Sequence, residues 1–326
     1  MIPAPVPRHG LRNRGKVPAY GPPPAYAHPV LRIHDARTGE SAAAAPARRG
    51  LTRIGAHASG LDPTALRVLL TADLLARALE LGGTPVWTIL SAPNRQAELR
   101  TAATTLSIRP FEDGRDVASG LGEAQAIHVV AQPGAYPPGA GPVVAVAPVE
   151  WQQPEQPDSE VGRGTGAGAG PGSGDATRPP WPGPTGPSSG PHSHRPHRPH
   201  RPHHPPLPLA DLLTDPAALR LALLRVPRSE PVRLDGAVLA DAAGRLAHWR
   251  RAVAGWARRP SRPVPDAVRT RLRAAWEDDL DLPAVLDVLR DVENAPDLPD
   301  GARFETYAYA DRLLALDLAR DLGTLA

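Results

Sequence analysis

His192, His194, His197, His200, His203 and His204 crowd into residues 192–204 and could together bind Ni²⁺, Zn²⁺ or Cu²⁺ through imidazole. They sit in a tract that repeats His-Arg-Pro, which also reads as a codon-repeat linker without fixed coordination geometry. Asp278, Asp279 and Asp281 offer a second kind of chemistry, metal binding or acid/base work, although their place before Pro283 reads as helix capping. Glycine recurs between Gly162 and Gly174, but no strand precedes it and no helix follows, so it does not form a phosphate cradle. The chain has no cysteine, which excludes disulfides and thiolate metal sites alike. Lys16 is its only lysine. No Ser/His/Asp order suggests nucleophilic catalysis.

The elements that would position such groups fall into three stretches of different composition. From Leu31 to Trp151, short apolar runs alternate with helical patterns, the signature of a parallel α/β sheet. Leu51–Ala56 reads as a first strand. Asp62-Pro63 opens a helix, because Asp caps free N–H groups and Pro suits the first helical position. Leu66, Leu69, Leu70, Leu74 and Ala78 give that helix an apolar face, and Gly82-Gly83 ends it. Pro85–Leu90, Ala126–Ala131 and Val143–Val149 are further strands, with helices over Gln96–Leu106 and around Val117.

Residues 152–208 are rich first in Gly, Ala and Ser, then in Pro, His and Arg. They bury too little apolar surface to offset their ordering entropy and read as a disordered linker. Residues 1–30 read as a disordered Pro-rich leader without the apolar core of a signal peptide. From Leu209 to the end the pattern is helical throughout: a start at Asp215-Pro216, a long helix Asp235–Trp256, then Asp266–Asp279, Pro283–Val292 and Phe304–Leu322. Trp249, Trp256 and Trp276 sit on these helices as core residues.

The formal charge of +3 and a pI near 9.6, almost all from arginine, permit nucleic-acid binding without demanding it. No stretch approaches the ~20 apolar residues that would span a bilayer. The expected location is cytoplasmic, with no membrane partner.

Several strings resemble the cysteine-activating class I aminoacyl-tRNA synthetases, the family of cysteinyl-tRNA synthetase and the mycothiol cysteine ligase. Leu209–Leu224, with Asp215-Pro216 and Leu219-Arg220-Leu221, is similar to the segment after the family's KMSKS loop. Leu239–Val253 resembles the next helix, and Asp278–Pro283 the turn into the last bundle. Leu31–Asp35 is similar to the family's opening strand, Asp73–Leu79 with Gly82 to the helix after its HIGH motif, and Val86–Leu90 to the strand beyond. The resemblance implies a truncated Rossmann-like parallel sheet of the class I synthetase type followed by an α-helical bundle, divided as 31–151 and 209–326.

It also implies where the chemistry should be. The HIGH slot falls on Asp62–Ala65, without either histidine, and His57 is read as an ordinary loop residue. The KMSKS slot falls on Arg198–Pro202, with Arg198 and Arg201 in the lysine places. Gly55, Asp62, Thr64, Arg198 and Arg201 are thus the positional equivalents of the nucleotide-binding residues. The first zinc-binding cysteine lines up near Arg53 or Ile54, so zinc of the family type is not expected. Three readings follow: a degenerate, non-catalytic paralogue that retains nucleotide, tRNA or protein binding; an active ATP-dependent ligase with arginine replacing lysine; or a His-rich metal-binding or scaffolding protein.

Overall fold

A computed structural model describes residues 30–46, 51–113, 125–132, 141–152 and 209–324. The expected leader, the expected linker over residues 153–208 with Arg198, Arg201 and the six clustered histidines, and the helix expected around Val117 lie outside the described residues.

The central sheet is built from β3 (Thr52–His57), β4 (Val86–Ser91), β5 (Glu112–Asp113), β6 (Gln125–Ala131) and β7 (Val143–Val146). Its strands are parallel, in the order β5-β4-β3-β6-β7. The first strand of the sheet is therefore its centre. The chain winds out one way through β4 and β5 and returns to the other side through β6 and β7, which is the Rossmann-like arrangement that the α/β reading requires. The strand order reverses between β3 and β6, and outside the carboxyl ends of strands at such a switch point α/β sheets bind ligands.

α1 (Pro63–Leu81) links β3 to β4, and α2 (Gln96–Thr105) links β4 to β5. The Asp-Pro start holds: the Asp62 carboxylate accepts a hydrogen bond from the Ala65 N–H at 2.8 Å. α1 is buried on nearly every side, including Arg67, Thr71 and Asp73, because it lies between the sheet and the C-terminal helices. A helix exposed on one face would have confined such residues to that face.

The C-terminal part contains α3 (Leu209–Leu212), α4 (Pro216–Leu224), α5 (Gly236–Trp256), α6 (Asp266–Glu277), α7 (Leu282–Asn294) and α8 (Asp300–Leu314). Asp215, Asp235 and Asp281 cap α4, α5 and α7 through their side chains. Trp249 and Trp276 are buried, and Trp256 is half-buried against the same core.

Four expectations are corrected. The C-terminal part is not helical throughout, because β9 (Val232–Leu234) intervenes and pairs in parallel with β8 (Val149–Trp151). Val143–Val149 is not one strand: Ala147 and Pro148 lie outside the ladders, and the Ala147 N–H turns to the carbonyl of Arg228 at 2.8 Å. The last helix stops at Leu314 rather than Leu322. There Ala315 takes a left-handed conformation (φ 49°), and Asp311 accepts from the N–H groups of Leu316 and Leu318 at 2.7 and 2.9 Å, folding the chain back. Finally, His57 is the last residue of β3 and not a loop residue. The 31–35 strand also forms, as β1 (Arg32–Asp35), but in an antiparallel hairpin with β2 (Glu40–Ala43) outside the main sheet.

Three buried arginines tie the two parts together. Arg67 of α1 donates to the carbonyls of Ala147, Val226, Pro227 and Glu230 at 2.7–3.1 Å. Arg220 of α4 donates to Leu106 and Leu314 carbonyls and pairs with Asp73 at 3.3 Å, while Arg77 and Arg109 approach the same carboxylate at 2.8 and 3.0 Å. Arg228 donates to the Ala145 carbonyl at 2.7 Å and to the Asp279 carboxylate. Burial pushes Arg67 and Arg220 down to about 10, still charged near neutral pH. Their donors face carbonyls because a buried guanidinium must find acceptors.

Candidate functional site at the carboxyl ends of the sheet

The switch point is reached by following β3 out of the sheet. Alternate residues of the strand point to opposite faces. Ile54 and Ala56 are fully buried in the core, while Arg53, Gly55 and His57 share the other, half-buried face. Ile54 is thus a core residue, and its hydrocarbon side chain offers a metal no lone pair.

Gly55 pairs across the ladder with His128 of β6. A Cβ at Gly55 would meet His57 Nε2 at 3.1 Å and His128 Nδ1 at 3.5 Å. The glycine therefore leaves room for two imidazoles to meet over the strand, His57 Nε2 lying 3.1 Å from His128 Nδ1. One ring nitrogen must donate and the other accept. Burial, and then the neighbouring His128, push His57 down to about 4, so it is neutral near pH 7. This pair was missed by sequence reading. The available signal was one histidine at the carboxyl end of a predicted strand, His57, and a second within another, His128.

Beyond His57 the chain turns into α1, whose amino terminus follows the carboxyl end of β3. The first turn of a helix presents free N–H groups that favour a phosphate. Here most are already engaged. Pro63 has no N–H and Ala65 donates to the Asp62 carboxylate, while Leu66 makes the first regular intrahelical bond, to the Asp62 carbonyl at 3.1 Å. The Thr64 hydroxyl accepts from the Val149 N–H at 3.0 Å, holding the start of β8. Of the five positional equivalents, the structure brings Gly55, Asp62 and Thr64 along one strand–helix junction. Arg198 and Arg201 lie outside the described residues. Asp62 and Thr64 do structural work there, as cap and as clamp.

Among the described residues no group of three or more His, Asp or Glu side chains is placed to hold a metal ion. Nor is any of their helices long and apolar enough to cross a membrane.

No protein-family model matches the chain. A stretch of 72 residues, 22% of the chain, is 47% identical to the L-cysteine:1D-myo-inositol 2-amino-2-deoxy-alpha-D-glucopyranoside ligase of Streptomyces griseus subsp. griseus. That match spans 17% of the ligase. Part of the chain is therefore related to a cysteine ligase, and the parallel sheet followed by helices agrees with a class I synthetase-like fold.

Proposed function

We propose that this chain is a degenerate relative of the cysteine-activating ligases, which keeps their scaffold for binding and has lost ATP-dependent activation. One observation carries the reading: the amino terminus of α1, the place for the nucleotide phosphates, is filled by the chain's own Asp62 carboxylate. A capping carboxylate satisfies the same dipole and N–H groups that a phosphate would use, and its charge repels one. Pro63 removes a further donor.

Two further facts support it. The HIGH slot holds Asp62–Ala65 in place of the histidines that would steady the transferring phosphates, and no cysteine is present to hold zinc against a substrate thiolate. Each lost electrostatic group costs about 10²–10³ in rate, so losing several removes useful turnover. What the scaffold would bind is a nucleotide, a tRNA end or a protein partner, at the switch point between β3 and β6.

The reading is tested by ATP–pyrophosphate exchange with each amino acid in turn. No exchange above background is expected with any of them. Cysteine-dependent exchange would overturn the proposal in favour of an active ligase.

A further inference from the structure

A cleft of about 380 Å³ opens beside the carboxyl ends of β6 and β7, where β1 and the Arg228 loop meet. Its volume lies in the range of small-molecule pockets, roughly 300–1,000 Å³. It is lined by His34, Gln132, Ala145, Arg228, Ser229 and Asp279, among others.

Two features of its floor are unfavourable as they stand. Arg228 is only 9% exposed, and its Nε is buried with no hydrogen-bond acceptor, although its other nitrogens serve Ala145, His34 and Asp279. Asp279 and the next residue, Leu280, both adopt positive φ (53° and 57°), which Asp tolerates and a bulky residue such as Leu avoids. Asp279 is held there by its contacts with Arg228 and with the His34 N–H at 2.7 Å. Buried donors without acceptors and bulky residues at positive φ are both uncommon, and both concentrate at ligand sites.

We infer that this cleft binds a small carboxylate-bearing ligand, which takes the place of the Asp279 carboxylate on Arg228. A guanidinium pairs well with a carboxylate, and the Asp279 carboxylate already accepts one hydrogen bond from Arg228 there. A ligand arriving from the cleft would let the guanidinium turn so that Nε gains an acceptor, and would release the 279–280 turn. Gln132 and Ser229 are exposed at the rim and supply neutral hydrogen-bonding groups for the rest of the ligand. The inference is independent of whether the chain activates amino acids, because the cleft shares no residue with the β3–α1 junction.

The test is calorimetric titration of the full chain with succinate near neutral pH, with inorganic phosphate in parallel. Arg228 is a structural tie, so it is left intact. Gln132→Glu and Ser229→Asp instead place a negative charge at the exposed rim. Saturable succinate binding is expected, at least tenfold weaker in each variant, with the thermal midpoint unchanged. Absence of saturable binding, equal binding by parent and variants, or phosphate binding as tight as succinate would each overturn the assignment.

Discussion

His57 is a half-buried imidazole held neutral over Gly55 against His128, and its titration should be visible in stability. Its pKa falls from 6.5 to about 4 on folding. Between those values the unfolded chain takes up a proton that the folded chain refuses, so stability falls as the pH drops through this window and is insensitive above it. His57→Gln removes the group, and the parent should lose more stability than the variant between about pH 7 and about pH 5. Urea midpoints for both proteins would check this; parallel losses would show that His57 does not titrate as described. At this scale the sequence was least legible. Arg67, Arg220 and Arg228 are positive residues of an arginine-rich chain, and charge alone marks them for the surface. The available sign was their setting, as in Leu66-Arg67-Val68 and Leu219-Arg220-Leu221, where a charge is flanked by apolar residues inside a helix. Asp62 was legible as a cap from Asp-Pro alone, but that Thr64 beside it clamps the Val149 N–H required the structure.

Helix starts were easier to read than helix ends. Asp62-Pro63 and Asp215-Pro216 each begin a helix as expected, because both the cap and the proline are local devices. The end of α8 has no glycine or proline to announce it. The chain turns because Asp311 reaches forward to the backbone of Leu316 and Leu318, a contact with no simple sequence signature. β9 was equally hidden: Val232-Arg-Leu234 is too short to show a period, and it is a strand only because β8 lies beside it. The start of α8 yields a sharper expectation. A Cβ on Gly301 would lie 2.0 Å from the Pro260 carbonyl oxygen and 3.1 Å from the Arg262 nitrogen. Alanine normally favours a helix over glycine by about 1 kcal/mol, but the clash must move backbone, which costs about 1–3 kcal/mol. Gly301→Ala is therefore expected to destabilise the protein, by chemical denaturation, despite its better helix propensity. A gain in stability would mean that the 260–262 segment yields easily.

Across the whole molecule one apolar core runs from Leu31 and Ile33 through α1 to Leu316 and Leu318, so sheet and helices are packed as a unit. Arg67, Arg220 and Arg228 cross the same boundary with hydrogen bonds that neither part could satisfy alone. Unfolding should then be a single event. Versions retaining only Trp87, on the sheet, or only Trp276, in α6, should show coincident urea transitions by fluorescence; separated midpoints would mean two independently stable bodies. The pairing of β8 with β9 has one more consequence. Val149–Trp151 and Val232–Leu234 lie side by side, with the Gln152 N–H also bonded to the Leu234 carbonyl at 2.7 Å, so both ends of the intervening chain are pinned. Strands far apart in the sequence thus become neighbours, and the helical part is stitched to the end of the sheet region by backbone as well as by arginine side chains.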